Sequence, residues 1–242
     1  MGIAPTPTAS DTSARNQEDG VIPLTAPTLQ EQEWHYLKEC LATGWVSSVG
    51  PFVDRFEQMV AGRLGAAHGV ATVNGTAALH IALLVAGVQP DEMVLVSSLS
   101  FIAPANAIRY VGAWPLFIDA EDRYWQMDPQ RVQDVLEQAC RWRRGALYHK
   151  PTGRRVRALL PVHLLGHPCD MEPLLAQARR YGLVVIEDAA ESLGARYKDQ
   201  MVGHLGDLAC LSFNGNKTVT AGGGGMILTD QAAWADRARY LT

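Results

Sequence analysis

Short apolar runs rich in β-branched residues, at Gly69 to Val73, Met93 to Ser97, Trp114 to Ile118, Arg157 to Val162 and Leu183 to Glu187, alternate with longer helical stretches. Those stretches start near Thr76, Ala103, Pro129, Asp170 and Gln231. A run that is apolar throughout, rather than alternating with polar residues, belongs to a strand covered on both faces. Strands of that kind interleaved with helices predict an α/β fold, a mainly parallel sheet sandwiched by helices. Ahead of this rhythm, Thr28 and Glu31 form a capping-box signature before Trp34, Leu37 and Leu41, a helix that Gly44 can end. Pro51 suits the first turn of a second helix and Gly65 its end.

Two segments depart from the rhythm. Leu208 to Phe213 and Gly225 to Thr229 read as strands only eleven residues apart, too close for a crossover helix, so Asn214 to Gly224 is expected to be a functional loop. Cys140 to Arg155 mixes Arg, Gly, Pro and Thr and is expected to be a surface loop.

Composition excludes several classes of function. The 242 residues hold 21 Lys and Arg against 25 Asp and Glu, a net charge of −4 that leaves no basic footprint for nucleic acid. The longest apolar stretch, Ala77 to Val88, has twelve residues including His80, short of the ~20 that span a bilayer. Cys40, Cys140, Cys169 and Cys210 lie far apart without metal-ligand spacing, which suits inert thiols in a reducing compartment. Residues 1–20 lack the apolar core of a secretory signal and are expected to form a flexible arm. Residues 21–242 are then expected to be the folded domain, and a cytoplasmic location is expected. Met1-Gly2 with Thr6 matches a myristoylation pattern, but nothing polybasic follows to reinforce an anchor.

Three segments carry chemistry. Val73-Asn74-Gly75-Thr76-Ala77-Ala78 runs from a strand end into a helix whose first turn is small. Its free N–H groups and the Thr76 hydroxyl suit a phosphate, and Asn74 equally suits a plain helix cap. Val184 to Glu191 delivers Glu187 and Asp188 at the C-terminal edge of a buried strand, where open α/β sheets bind ligands, although Asp188 could also cap a turn. Ser212-Phe213-Asn214-Gly215-Asn216-Lys217 leads into four consecutive glycines at 222–225. A lysine there has no charged neighbours in the chain, and glycines of this density mark a place where backbone approaches something closely. A desolvated lysine loses its proton readily and can form a Schiff base with an aldehyde. A phosphate cradle, a carboxylate and a lysine together make the set that pyridoxal 5'-phosphate requires.

At these residues the sequence resembles the DegT/DnrJ/StrS sugar aminotransferases, which are fold type I pyridoxal-phosphate enzymes. The resemblance runs from about Leu24 to Thr242. It is carried by Gly44-Trp45-Val46-Ser47 with Gly50-Pro51, Asn74-Gly75-Thr76, Ser100-Phe101-Ile102-Ala103, Pro161 to Gly166, Glu187 to Ala195, and Ser212-Phe213 ahead of Lys217. It implies that Lys217 binds the cofactor as a Schiff base and shuttles protons, while Asp188 pairs with the pyridinium nitrogen. Gly75, Thr76 and Ser212 would bind the phosphate, Phe101 would stack on the ring, and Glu191, where the family often has Gln or His, would lie near the ring hydroxyl.

The same resemblance implies a nucleotide-linked 4-keto-6-deoxysugar as substrate, an amino acid such as glutamate as donor, and a homodimer in which the Gly44 to Gly50 loop reaches the partner's site. His-Leu-Leu-Gly-His-Pro-Cys-Asp-Met at 163–171 and Ser-Phe-Asn-Gly-Asn-Lys at 212–217 are most similar to the branch acting on UDP-linked 4-keto-6-deoxy-N-acetylhexosamines of the legionaminic-acid type. Family chains continue beyond the point matching Thr242 into a C-terminal small domain, so this chain is expected to be the large domain alone, a fragment or a shortened product. A non-catalytic cofactor- or sugar-binding regulator on the same scaffold is the alternative. Dehydratases on this fold have His at the lysine position, and position 217 is Lys. His163 is expected to be a packed strand-end residue, and His163 with His167 lacks the Glu of a zinc motif.

Overall fold

A computed structural model describes Ile22 and residues 25–242. The arm at residues 1–20 and the Met1-Gly2-Thr6 pattern lie outside the described residues. The chain divides into two units, residues up to Pro51 and Phe52–Thr242.

In the first unit, helix α1 (Glu31–Thr43) ends on Gly44 at φ 76°. Its capping residue is Gln30 rather than Thr28: Glu33 Oε2 accepts the Gln30 N–H at 2.7 Å, so the box sits two residues later than the sequence signature placed it. Helix α2 (Pro51–Leu64) follows, with proline at its first position as expected.

The second unit is built on one sheet. Its strands are β1 (His68–Thr72), β2 (Met93–Ser97), β3 (Trp114–Ile118), β4 (Cys140–Arg143), β5 (Ala146–His149), β6 (Arg155–Leu160), β7 (Val184–Asp188), β10 (Leu208–Ser212) and β11 (Gly225–Thr229). The short pair β8 (Arg196–Tyr197) and β9 (Gln200–Met201) stands apart. The order is β1-β11-β10-β7-β6-β2-β3, parallel from β10 through β3, while β11 runs antiparallel to both its neighbours.

Both faces of the central strands are covered, which is why those strands read as apolar throughout, while edge strand β3 leaves Trp114 and Phe117 exposed. Val94 and Val96 of β2, with Leu208 and Cys210 of β10, pack under helices α3 (Gly75–Val85), α4 (Ile102–Tyr110) and α7 (Ala232–Leu241). Met93 and Leu95 face the other way, toward α5 (Pro129–Asp134), the π turn Val135–Ala139 and α6 (Met171–Tyr181). Ala209 and Leu211 meet Ala61 and Leu64 of α2.

The stretch from Cys140 to Arg155 is not a surface loop. It forms the hairpin β4–β5, which joins the sheet antiparallel to the start of β6 through Leu147 opposite Val156 and Tyr148 opposite Arg155. Its arginines masked a period-two pattern in which Leu147 turns inward and is 2% exposed. No described helix is long and apolar enough to cross a membrane. The four cysteines are free thiols, three of them buried, and burial pushes Cys140 up to about 11.

Candidate functional site

Carboxyl ends of parallel strands leave a crevice where neighbouring connections diverge. Here the ends of β6, β7 and β10 and the start of α3 enclose a cavity of about 310 Å³. Among its lining residues are Gly75, Thr76, Phe101, Asp188, Glu191, Ser212 and Lys217, so every sequence-predicted site residue is brought to one place.

At the start of α3, Asn74 is a true N-cap: its side chain accepts the Ala77 N–H at 2.8 Å. The cap takes only that donor, and the first N–H groups of a helix have no partner within it, so capping and anion binding coexist at this turn. Gly75 is what lets the helix start meet β10. A Cβ there would lie 2.9 Å from Ser212 Cβ, so only glycine brings the Ser212 hydroxyl beside those donors. The close approach that the glycine run foretold is to protein: a Cβ at Gly225 would fall 2.4 Å from the Asn74 carbonyl carbon, and Asn74 and Gly224 form a bridge. The run therefore clamps the helix start against β11.

Asp188 ends β7 at 6% exposure. Burial pushes its carboxyl up to about 6, against the pull of the Ala190 N–H, 3.1 Å from Oδ1, and of Lys217. A buried carboxylate so destabilised is poised to take a cationic partner. Lys217 Nζ donates to Glu191 Oε1 at 3.2 Å, and Glu191 Oε2 accepts the Leu165 N–H at 2.8 Å. Leu165 holds φ 54°, a strained conformation for a leucine, where it meets Glu191. Phe101 stands at the rim, 71% exposed, as the residue before α4.

A buried network meets the cavity at His163, and the part that Glu187 plays in it was not revealed by the sequence. Glu187 is fully buried and accepts from Gly203 N–H at 3.2 Å and Gly206 N–H at 2.7 Å, and its Oε2 lies 3.0 Å from His163 Nε2. His163 Nδ1 takes the Cys169 N–H at 3.1 Å, which assigns the ring proton to Nε2, facing the carboxylate. His163 is thus the packed, hydrogen-bonded strand-end residue its context predicted. Period-two alternation explains why Glu187 points away from the side Asp188 faces. Asn214 and Asn216 also line the cavity, joined by a 3.0 Å hydrogen bond.

The cavity thus gathers phosphate-type donors, a carboxylate that favours a cation, and a mostly buried lysine. Comparisons with known proteins agree with that content. Residues 27–242 match the model of the DegT/DnrJ/EryC1/StrS aminotransferase family. A GDP-perosamine synthase of Caulobacter vibrioides is 42% identical over 91% of this chain and 55% of its own length, and one of Escherichia coli O157:H7 is 39% identical over 91% and 56%. Among solved structures, an aminotransferase of Psychrobacter cryohalolentis superposes with a TM-score of 0.79 at 29% identity, covering 89% of this chain and 51% of that one. DesI, solved in the presence of its TDP-sugar product, superposes with a TM-score of 0.78 at 32% identity over 96% and 56%. The chain spans about half the length of the curated relatives it matches. With the match covering all but the first 26 residues, the chain belongs to the DegT/DnrJ/EryC1/StrS aminotransferase family.

Proposed function

We propose that this chain is the cofactor-binding part of a pyridoxal-phosphate-dependent aminotransferase that converts a nucleotide-linked 4-keto-6-deoxysugar to the 4-aminosugar, with glutamate as donor. The observation that carries the reading is the convergence of Lys217, Asp188 and the start of α3 on one cavity. When bound, the cofactor supplies an aldehyde that takes up an amine and a protonated ring that withdraws electrons from the reacting carbon.

The chain's own residues supply the rest. Backbone N–H groups at Gly75 and Thr76, with the Thr76 and Ser212 hydroxyls, hold the phosphate at the positive end of α3. Asp188 would hold the ring nitrogen in its protonated form, and its carboxyl, which burial raises to about 6 against the pull of the Ala190 N–H, His163 and Lys217, would gain a cationic partner there. Phe101, at the cavity rim, would lie over one face of the ring. Lys217 would hold the cofactor through its amine, and the free amine would serve to move protons at the substrate. Glu191 steadies that amine through the 3.2 Å contact and is assigned the ring hydroxyl.

The nucleotide is the finer question. The histidine-rich 163–171 segment favours a UDP-linked N-acetylated sugar, whereas the GDP-perosamine synthases among the relatives favour a GDP-linked 4-keto-6-deoxyhexose. Transfer of labelled nitrogen from glutamate to each ketosugar tests the function. Incorporation into one of them is the expected result. Tight cofactor binding with no incorporation into either would favour the non-catalytic regulator. For the full-length enzyme we also propose a homodimer, with the Gly44 to Gly50 loop reaching toward the partner's site. A monomer by light scattering at high micromolar concentration would contradict it.

A further inference from the structure

The hairpin β4–β5 carries a cluster that the aminotransferase reading does not use. Arg141, Arg143, Arg144, Tyr148 and Gly153 line a cleft of about 110 Å³. Arg141 stands directly opposite Tyr148 in the antiparallel register, so their side chains share a face, and Arg143, two residues on, shares it too. On the opposite face Leu147 is buried and Trp142 is 56% exposed, its ring edge near Gly182.

Charge balance sets these arginines apart. The other basic residues along this edge have partners: Arg154 with Asp91, Arg155 with Glu92, Arg157 on the Ala86 carbonyl and Lys150 on the Gln138 carbonyl. Among the described residues, Arg141, Arg143 and Arg144 have no acidic partner within ion-pair distance. Three guanidinium groups without acidic partners around one cleft, in a chain of net charge −4, concentrate a positive potential that a bound anion would offset.

The two-residue loop Arg144-Gly145 has φ 51° and 74°, the primed hairpin geometry that favours Asn-Gly. An arginine in the left-handed region costs on the order of 1 kcal/mol that asparagine would largely avoid, and it places a third guanidinium at the cleft.

From this geometry we propose that the outward face of β4–β5 is a binding site for one tetrahedral oxyanion, either free phosphate or the phosphoryl end of a phosphorylated small molecule. Guanidinium forks match phosphate oxygens in bidentate fashion, and the Tyr148 hydroxyl supplies a neutral donor. The cleft admits one such group, whereas nucleic acid needs a longer basic track. The hairpin joins β6 at Arg155 and Val156, and the cofactor cavity lies past the other end of that strand at Val162 and His163, so the two sites are separate.

Calorimetric titration of the pyridoxal-phosphate-saturated protein with inorganic phosphate, at ionic strength held constant with chloride, tests the proposal. Saturable binding at one site per chain is expected, weakened about tenfold or more in R141A/R143A and only partly in R141K/R143K. Comparing phosphate and sulfate in parent and variant subtracts any filling of the cofactor cavity, which these substitutions leave untouched. Glucose 1-phosphate binding more tightly than phosphate would identify a phosphorylated metabolite as the source, and equal binding would identify free phosphate. No saturable heat beyond the chloride control overturns the proposal. So does unchanged affinity in a folded R141A/R143A variant, or binding of an RNA oligonucleotide without binding of phosphate.

Discussion

Lys217 and Glu191, 26 residues apart in sequence, meet through a 3.2 Å contact between Nζ and Oε1, and the second Glu191 oxygen is tied to the backbone of Leu165. The carboxylate is therefore fixed at both oxygens, and it holds the amine in place on the cavity wall. Glu191→Gln keeps an oxygen acceptor and should retain cofactor, whereas Glu191→Ala frees both partners. Loss of a hydrogen bond to a charged group is worth about 1.5–3 kcal/mol, so the alanine variant should bind pyridoxal phosphate about tenfold more weakly or worse. Equal affinity for the alanine variant and the parent, by absorbance titration, would remove Glu191 from the site.

Asp188 gives a pH-dependent prediction. Its carboxyl is raised from 3.8 to about 6, so the folded, cofactor-free state prefers it protonated. The contribution to stability is present below pH 3.8 and is lost as pH rises through about 6, leaving a cost on the order of 2–3 kcal/mol at pH 8. Asp188→Asn should raise the melting temperature of cofactor-free protein at pH 8 and leave it nearly unchanged near pH 4. The same variant should lose most of its amino-transfer rate. Transfer within about twofold of the parent, only ~0.4 kcal/mol in barrier, would make Asp188 a structural turn residue.

Glu187 is expected to matter through structure alone. Glu187→Ala leaves the His163 Nε2–H and the N–H groups of Gly203 and Gly206 without their acceptor, in the interior. Breaking such a buried network costs about 3–5 kcal/mol. Chemical denaturation should show that loss, and hydrogen exchange should show opening at 203–206. A change below about 1 kcal/mol would mean that water replaces the carboxylate without cost.

At Gly225 the clamp can be tested by a single methyl. Gly225→Ala pushes a carbon against the Asn74 peptide at 2.4 Å, where backbone cannot yield cheaply. Overpacking of this kind costs about 1–3 kcal/mol, and here it also shifts the start of α3. Both lower stability and weaker cofactor affinity are expected. A variant with parental stability would show that β11 and α3 part without cost.

Much of this arrangement was legible because the determinants are local. Strands β2, β3 and β7 were readable from apolar runs, and the antiparallel return of β11 from an interval too short for a helix. Gly75 and Asp188 were marked by strand-end positions, and Lys217 by a glycine-rich loop between two strands with no charged neighbours. What escaped depends on long-range partners. Glu187 looked like a second carboxylate at the sheet edge, because its acceptor role is set by loop N–H groups up to 19 residues later. The hairpin at 140–149 was obscured by arginines that occupy its outward face. The cap of α1 moved from Thr28 to Gln30 because Glu33 reaches back to it.

The central claim is that Lys217 is the residue that bonds to the cofactor. Borohydride reduction of the protein with pyridoxal phosphate, followed by peptide mass spectrometry, tests it most directly. The account predicts one stable pyridoxyl modification on the peptide containing Lys217, a visible absorption band before reduction, and loss of both in Lys217→Ala. Modification at another lysine, or an undiminished band in Lys217→Ala, would contradict it.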